Sequence, residues 1–261
     1  MSLDWFITII TNNWPMLLRG AWMTLVISTL GTLIGALIGL IIGVINTTPK
    51  AQKGGQKTFL AIVNGLLRVY VEFFRGTPMI VQAMVIFYGT PLIMQWLKAT
   101  IGTDFGFNGD MNATFAAVVI VSLNTGAYMA EIVRGGIISV DKGQFEAARA
   151  MGMNHWTTMT SVVLPQVLRN ILPATGNQYI MNIKDTSVLN VITVNELFFQ
   201  TKTIAGANFR YFESFFIACI IYLIMTLTAT QVLRFFERRL EGKANYQMLD
   251  EAGIMRPKSR E

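Results

Sequence analysis

The sequence predicts an all-α, polytopic membrane protein with five transmembrane helices, and three observations predict it. Hydrophobic residues make up 52% of the 261 positions and charged residues only 14%, too few charges to cover a water-facing surface, where about a quarter is usual. No charge lies between Arg19 and Lys50, Arg75 and Lys98, Asp110 and Glu131, or Glu213 and Arg234, and each interval holds the ~20 apolar residues that a bilayer core requires. Lys and Arg gather in the connections between alternate intervals, the bias expected of cytoplasmic loops.

The elements follow in order. Residues 1–18 carry Trp5 and Trp14, which suit the outer membrane interface, and read as a short interfacial helix. The first span covers about 20–45. Its Gly31, Gly35, Gly39 and Gly43 recur every four residues and form a small face for close approach of another helix. Residues 59–75 read as an amphipathic helix or a cytoplasmic extension of the next span. Phe59, Val63, Leu66, Tyr70 and Phe73 make one stripe and Asn64, Arg68, Glu72 and Arg75 another. Pro78 then marks a break. Spans at about 76–97 and 111–133 precede a long loop, 134–170, and a span at about 214–234 precedes a basic tail.

A further span near 174–196 is poor by hydropathy, because it holds Asn177, Gln178, Asn182, Lys184, Asp185, Ser187, Asn190 and Asn195. Loop charges decide for it. Lys50, Lys53 and Lys57 follow the first span with no acid among them. Asp104 and Asp110 join Lys98 after the second, and Arg134, Lys142, Arg149 and Arg169 follow the third. The tail begins with Arg234, Arg238, Arg239 and Lys243. Five crossings put every basic cluster inside, with the N-terminus outside and the C-terminus cytoplasmic. Ionisable groups at membrane depth face a bundle interior or a wet cavity, so this polar span faces away from lipid.

Other function classes find little support. The net charge of +6 belongs to cytoplasmic loops rather than to a nucleic-acid surface. Cys219 is the only cysteine and His155 the only histidine, which leaves neither a disulfide nor a credible metal site. The first charge, Asp4, and the early Asn12–Asn13 argue against a signal peptide. GGQKT at 54–58 misses a phosphate loop, because Ala51 and Gln56 stand where glycines are required. No catalytic residue is identified.

The loop 134–170 is built to hold a shape. Residues 142–151 are good helix formers that end at Gly152, a C-cap, and Asn154 caps a second short helix. Two short helices joined at Gly152 make a platform on which a partner docks. Glu146-Ala147-Ala148, Gly152 and Val162-x-Leu164-Pro165 resemble the EAA loop of ABC importer permeases, with Val162 where Ile is common. RGTPMIVQ at 75–82, AYMAEIVRGGI at 127–137, GQFEAARAMG at 143–152 and KDTSVL at 184–189 resemble the polar amino-acid permease family, the histidine/glutamine type, and the likeness runs from about residue 15 to 240.

The resemblance implies a multi-pass subunit of the bacterial cytoplasmic membrane, embedded in lipid. Its partners would be a second permease subunit, identical or paralogous, a dimer of ATPase subunits and an external solute-binding protein. ATP and Mg²⁺ would be held by the ATPase partner and no cofactor by this chain. Glu146, Ala147, Ala148, Gly152, Leu164 and Pro165 would couple to the ATPase. Ala147 and Ala148 would permit close approach, and Glu146 would cap or pair at the helix start. Substrate-path candidates are Asn124 and Tyr128, which share a helix face with Glu131, and Lys184, Asp185 and Ser187. Asn124 and Tyr128 serve equally well as helix–helix hydrogen-bonding groups, and Glu131 with Arg134 reads as a structural pair. Lys184 and Asp185 fall mid-span in this reading, about 100° apart on the helix, so one can line a path while the other holds a neighbouring helix. An ion-gradient-driven transporter or channel is the alternative; the absence of an inverted repeat and the presence of the EAA loop argue against it.

Overall fold

The computed structural model describes residues 3–47, 54–102, 106 and 108–241, and within them every element of regular structure is helical. Lys50, Lys53, Asp104 and Lys243 of the charge argument lie outside the described residues. Helices α1 (Leu3–Asn46), α2 (Gly54–Gly76), α3 (Met79–Ile101) and α4 (Ala113–Ile138) form the first half of the chain. Two short helices, α5 (Lys142–Ala150) and α6 (His155–Thr158), lead through a π turn at Met159–Val163 into α7 (Leu164–Asp185). A 3₁₀ segment (Thr186–Ile192), α8 (Leu197–Asn208) and α9 (Tyr211–Glu241) complete it. Among the described residues, α1, α3, α4 and α9 are long and apolar enough to cross a membrane.

Helix α1 runs unbroken for 44 residues through Pro15, about 66 Å at 1.5 Å per residue and twice a bilayer core. No separate interfacial helix stands where one was expected at 1–18: of those residues, 3–18 belong to α1. Packing explains the extension: Ile9 and Leu17 are buried in one cluster with Ile183, Leu197, Ile204 and Ile217. The amphipathic segment is its own helix, α2, separated from α3 at Thr77–Pro78.

Helix α4 is the most enclosed of the four apolar helices. Its Val121, Thr125, Met129 and Val133 lie against Gly31, Gly35, Gly39 and Gly43 of α1. Both series advance by four in the same sense, so α1 and α4 run parallel. A Cβ on Gly35 would stand 2.6 Å from Thr125 Cβ; glycine is what lets the two helices close to this distance. Helix α3 runs the other way: Gln82 near its start meets Asn124 near the middle of α4, while Ile86 and Phe87, further on, pack against the cluster that holds Ala116 and Ala117 near the start of α4.

Helix α7 is antiparallel to α4. Gly136 meets Ile171 near the beginning of α7, and Thr125 meets Asn182 near its end. Helix α9 is antiparallel to α7, with Gly176 against Leu233 and Ile183 clustered with Ile217 and Met225.

The polar span expected at 174–196 is not one helix. Helix α7 ends at Asp185, the chain tightens through Thr186–Ile192, and Thr193 turns at φ 61° before α8. Side chains explain the change. Thr186 Oγ1 donates to Ile183 O, Ser187 Oγ to Lys184 O and Asn190 Nδ2 to Ser187 O, and such bonds to nearby carbonyls compete with the helical ladder. Lys184 and Asp185 thus stand in the last turn of α7, next to Asn182, which meets Thr32 of α1 and Thr125 at the middle of α4.

Candidate functional site

The break between α2 and α3 makes one wall of a cavity. Pro78 has no N–H, so the carbonyl of Phe74 loses the donor that a continuous helix would give it. The Gln82 side chain supplies one: Nε2 lies 2.8 Å from Phe74 O, 2.8 Å from Thr77 O and 2.9 Å from Thr77 Oγ1. Held open in this way, residues 77–80 border a cavity of about 300 Å³, at the lower end of the range for small-ligand pockets. Asn124 and Tyr128 of α4 form a second wall, and Gln178, Met181 and Asp185 of α7, with Val188, form a third.

Three of the five expected path residues, Asn124, Tyr128 and Asp185, therefore meet in one cavity, and Lys184 and Ser187 are not in its lining. Asn124 is buried and donates to Gln82 Oε1 at 2.9 Å and to Phe74 O at 3.4 Å. Tyr128 carries the Arg75 guanidinium over its ring at 5.7 Å. Arg75 lies 3.9 Å from Glu131, which is bound at 2.8 Å by Arg134, so the expected pair is present with Arg75 as a third member.

The other polar groups of α7 are largely spent on packing. Asn182 Nδ2 donates to Thr32 Oγ1 at 2.7 Å and Thr125 Oγ1 at 2.9 Å, and its Oδ1 accepts from Gln178 Nε2 at 3.3 Å. That network ties α1, α4 and α7 together. Thr77, Gln82 and Gln178 were not singled out from the sequence. Their signal was available for Gln82: a side-chain amide four residues after a proline can replace the proline's missing donor.

In the EAA-like segment, α5 ends in a Schellman motif. Gly152 has φ 76°, its N–H donates to Arg149 O at 2.9 Å, and Met153 N–H donates to Ala148 O at 3.0 Å. Asn154 Oδ1 then accepts from Thr157 N–H at 2.9 Å and caps α6. Asp141, not Glu146, caps α5, accepting from Gly143 N–H at 2.6 Å. Only one of the two alanines is available to a partner: Ala147 is exposed, whereas Ala148 is buried in the chain itself. Glu146, Gly152 and Pro165 are exposed and Leu164 is half-buried. Phe145 packs from α5 into the cluster of Met129, Val133, Ile137, Met159 and Val163, which links this platform to α4. Burial, and then the charge of Arg149, hold the His155 imidazole below its ordinary range.

Comparison with known proteins places this architecture. The family described as "Binding-protein-dependent transport system inner membrane component" matches residues 58–242. The chain is 40% identical over 242 residues to the glutamine transport system permease protein GlnP of Escherichia coli (strain K12), covering 92% of this chain and 99% of that protein. It is 38% identical over 174 residues to the L-cystine transport system permease protein TcyB of Bacillus subtilis (strain 168), covering 66% and 68%. Among solved structures it is similar to a chain of an amino acid ABC transporter crystallised with histidines, at 35% identity and TM-score 0.72, covering 92% of this chain and 100% of that one. The MetNI methionine ABC transporter shares the fold at 19% identity and TM-score 0.64.

Proposed function

The chain belongs to the family of binding-protein-dependent transport system inner membrane components, the permease subunits of ABC importers, and from that premise we propose that it forms the translocation path for a polar amino acid. As a permease it carries no ATPase of its own and is a multi-pass membrane protein. ATP and Mg²⁺ belong on two ATPase partners, a second permease completes the membrane unit, and an external solute-binding protein delivers substrate.

One observation carries the substrate reading. Asn124, Tyr128, Gln178 and Asp185 converge from two antiparallel helices on one cavity beside the α2–α3 break. A zwitterionic amino acid needs acceptors for its ammonium and donors for its carboxylate. Asp185 and Asn124 offer acceptor oxygens, and the Tyr128 hydroxyl offers a donor. The relatives' names, for glutamine and cystine, favour the same class.

Helix direction supports five crossings. Helices α1, α4 and α9 run one way and α3 and α7 the other, so that α7 returns the chain between α4 and α9. With the N-terminus outside, Lys142 and Arg149 of α5 fall in the cytoplasm, where the exposed Glu146, Ala147 and Gly152 meet the ATPase. The cluster around Phe145 then carries the motion of the ATPase to α4.

The test is reconstitution with the matching ATPase and binding protein in proteoliposomes, followed by uptake of labelled glutamine, cystine, arginine and histidine. Uptake of at least one that needs ATP hydrolysis is expected. Uptake by this chain alone on an ion gradient would overturn the reading.

A further inference from the structure

Gln82 is 2% exposed and absent from the cavity lining, yet it touches both walls that meet there. Its Nε2 satisfies Phe74 O and Thr77 O, two carbonyls that the break at Pro78 leaves without helical donors. Its Oε1 accepts from Asn124 Nδ2 at 2.9 Å. The amide cannot turn over: reversal would set Oε1 against two carbonyl oxygens and the –NH₂ against the Asn124 –NH₂. The orientation of Gln82 therefore dictates that of Asn124. With its N–H groups directed to Gln82 Oε1 and Phe74 O, Asn124 keeps Oδ1 as the group it can offer to the cavity, and that group only accepts.

We propose that Gln82 is a positioning residue that fixes Asn124 as a hydrogen-bond acceptor in the cavity, so that the cavity recognises a donor-bearing cationic group such as a substrate ammonium. The proposal rests on the reading of this cavity as the substrate path. Asp185 on the facing wall adds a second acceptor, and a cation between the two acts on both. A helix break that only needed its carbonyls satisfied would not require the amide to reach α4 as well.

The experiment is a double-mutant cycle on the permease–ATPase complex in nanodiscs without binding protein, with calorimetric binding of glutamine, cystine, arginine and histidine. Asn124→Ala is expected to raise Kd for the bound amino acid about ten-fold, the value of one hydrogen bond to a charged group. Gln82→Met is expected to raise it similarly, and the double variant no further. Additive effects, or an unchanged Kd in Gln82→Met beside a raised one in Asn124→Ala, overturn the positioning role and leave the substrate path standing. An unchanged Kd in Asn124→Ala, or no binding of any of the four by the unaltered complex, overturns the path reading and the proposal with it. If Gln82→Met does not accumulate, Gln82→Glu decides: in this dry site its carboxyl is protonated, the O–H donates to one of the two carbonyls and the C=O still accepts from Asn124, so a Kd near that of the unaltered complex is required, and one as high as in Asn124→Ala overturns the role.

Discussion

Tyr222 donates a 2.8 Å hydrogen bond to Glu196 Oε2, joining α9 to the N-cap of α8. Glu196 is fully buried and also accepts from the N–H groups of Phe198 and Phe199 at 2.9 and 2.8 Å. One carboxylate thus caps a helix and fastens a neighbouring one, and the helix N-terminus favours its charge. Glu196→Ala would leave three donors unpaired in a dry site, at about 1–3 kcal/mol each. Tyr222→Phe removes one donor together with its need for a partner. The unfolding temperature in detergent should fall clearly for Glu196→Ala and less for Tyr222→Phe. Equal temperatures for both variants and the unaltered protein would show that the cap is dispensable.

Coupling is tested at Gly152. A Val there must adopt φ near 76°, in a region that costs β-branched residues roughly 1–3 kcal/mol, so the Schellman turn should open and α5 should lose its set angle. Gly152→Val should insert normally and lose most substrate-stimulated ATP hydrolysis. Glu146→Lys, which reverses an exposed charge on the same platform, should do the same without disturbing α5. Full transport by both variants would remove the coupling role from this loop.

What the sequence made legible was whatever local chemistry controls. The four apolar helices, the turn at Gly152, the cap at Asn154 and the break at Pro78 all follow from one or a few adjacent residues. The glycine repeat of α1 was readable as a packing face, but its partner, the Val121–Val133 edge of α4, was not. The end of α7 was missed because Thr186, Ser187 and Asn190 turn back on their own carbonyls, and hydropathy does not register that choice. Lys184 and Asp185 are adjacent in sequence, and helix face alone puts Asp185 in the cavity lining and Lys184 outside it. Ala148 looked equivalent to Ala147 for the same reason: composition does not say which side of a nine-residue helix is covered.

Selectivity separates those two charged neighbours. Asp185 lines the cavity and Lys184 does not, so Asp185→Asn should change which amino acids the reconstituted complex takes up, with cationic groups affected most. Lys184→Arg should leave the ranking of substrates as it was. A shifted ranking in Lys184→Arg with none in Asp185→Asn would assign the path to the opposite face of α7.

Topology gives the last prediction, and it bears on α7 most of all. By hydropathy among the described residues, four helices qualify as spans and α7 does not. If only those four crossed, the end of α9 would lie on the same side as the start of α1. Packing argues otherwise, since α7 is antiparallel to both α4 and α9, and beyond its end Val194 clusters with Ala116 and Ala117 near the start of α4, so the chain from Leu164 to Val194 runs the length of α4. Its polar side chains need no lipid contact, because Asn182 is bound between α1 and α4. A reporter fused after Glu241 should therefore read cytoplasmic, one inserted at Lys142 cytoplasmic, and one inserted at Asp110 or at Val194 external. An external reading after Glu241 would mean that α7 does not cross, and the cavity between α4 and α7 could not then be a path through the membrane.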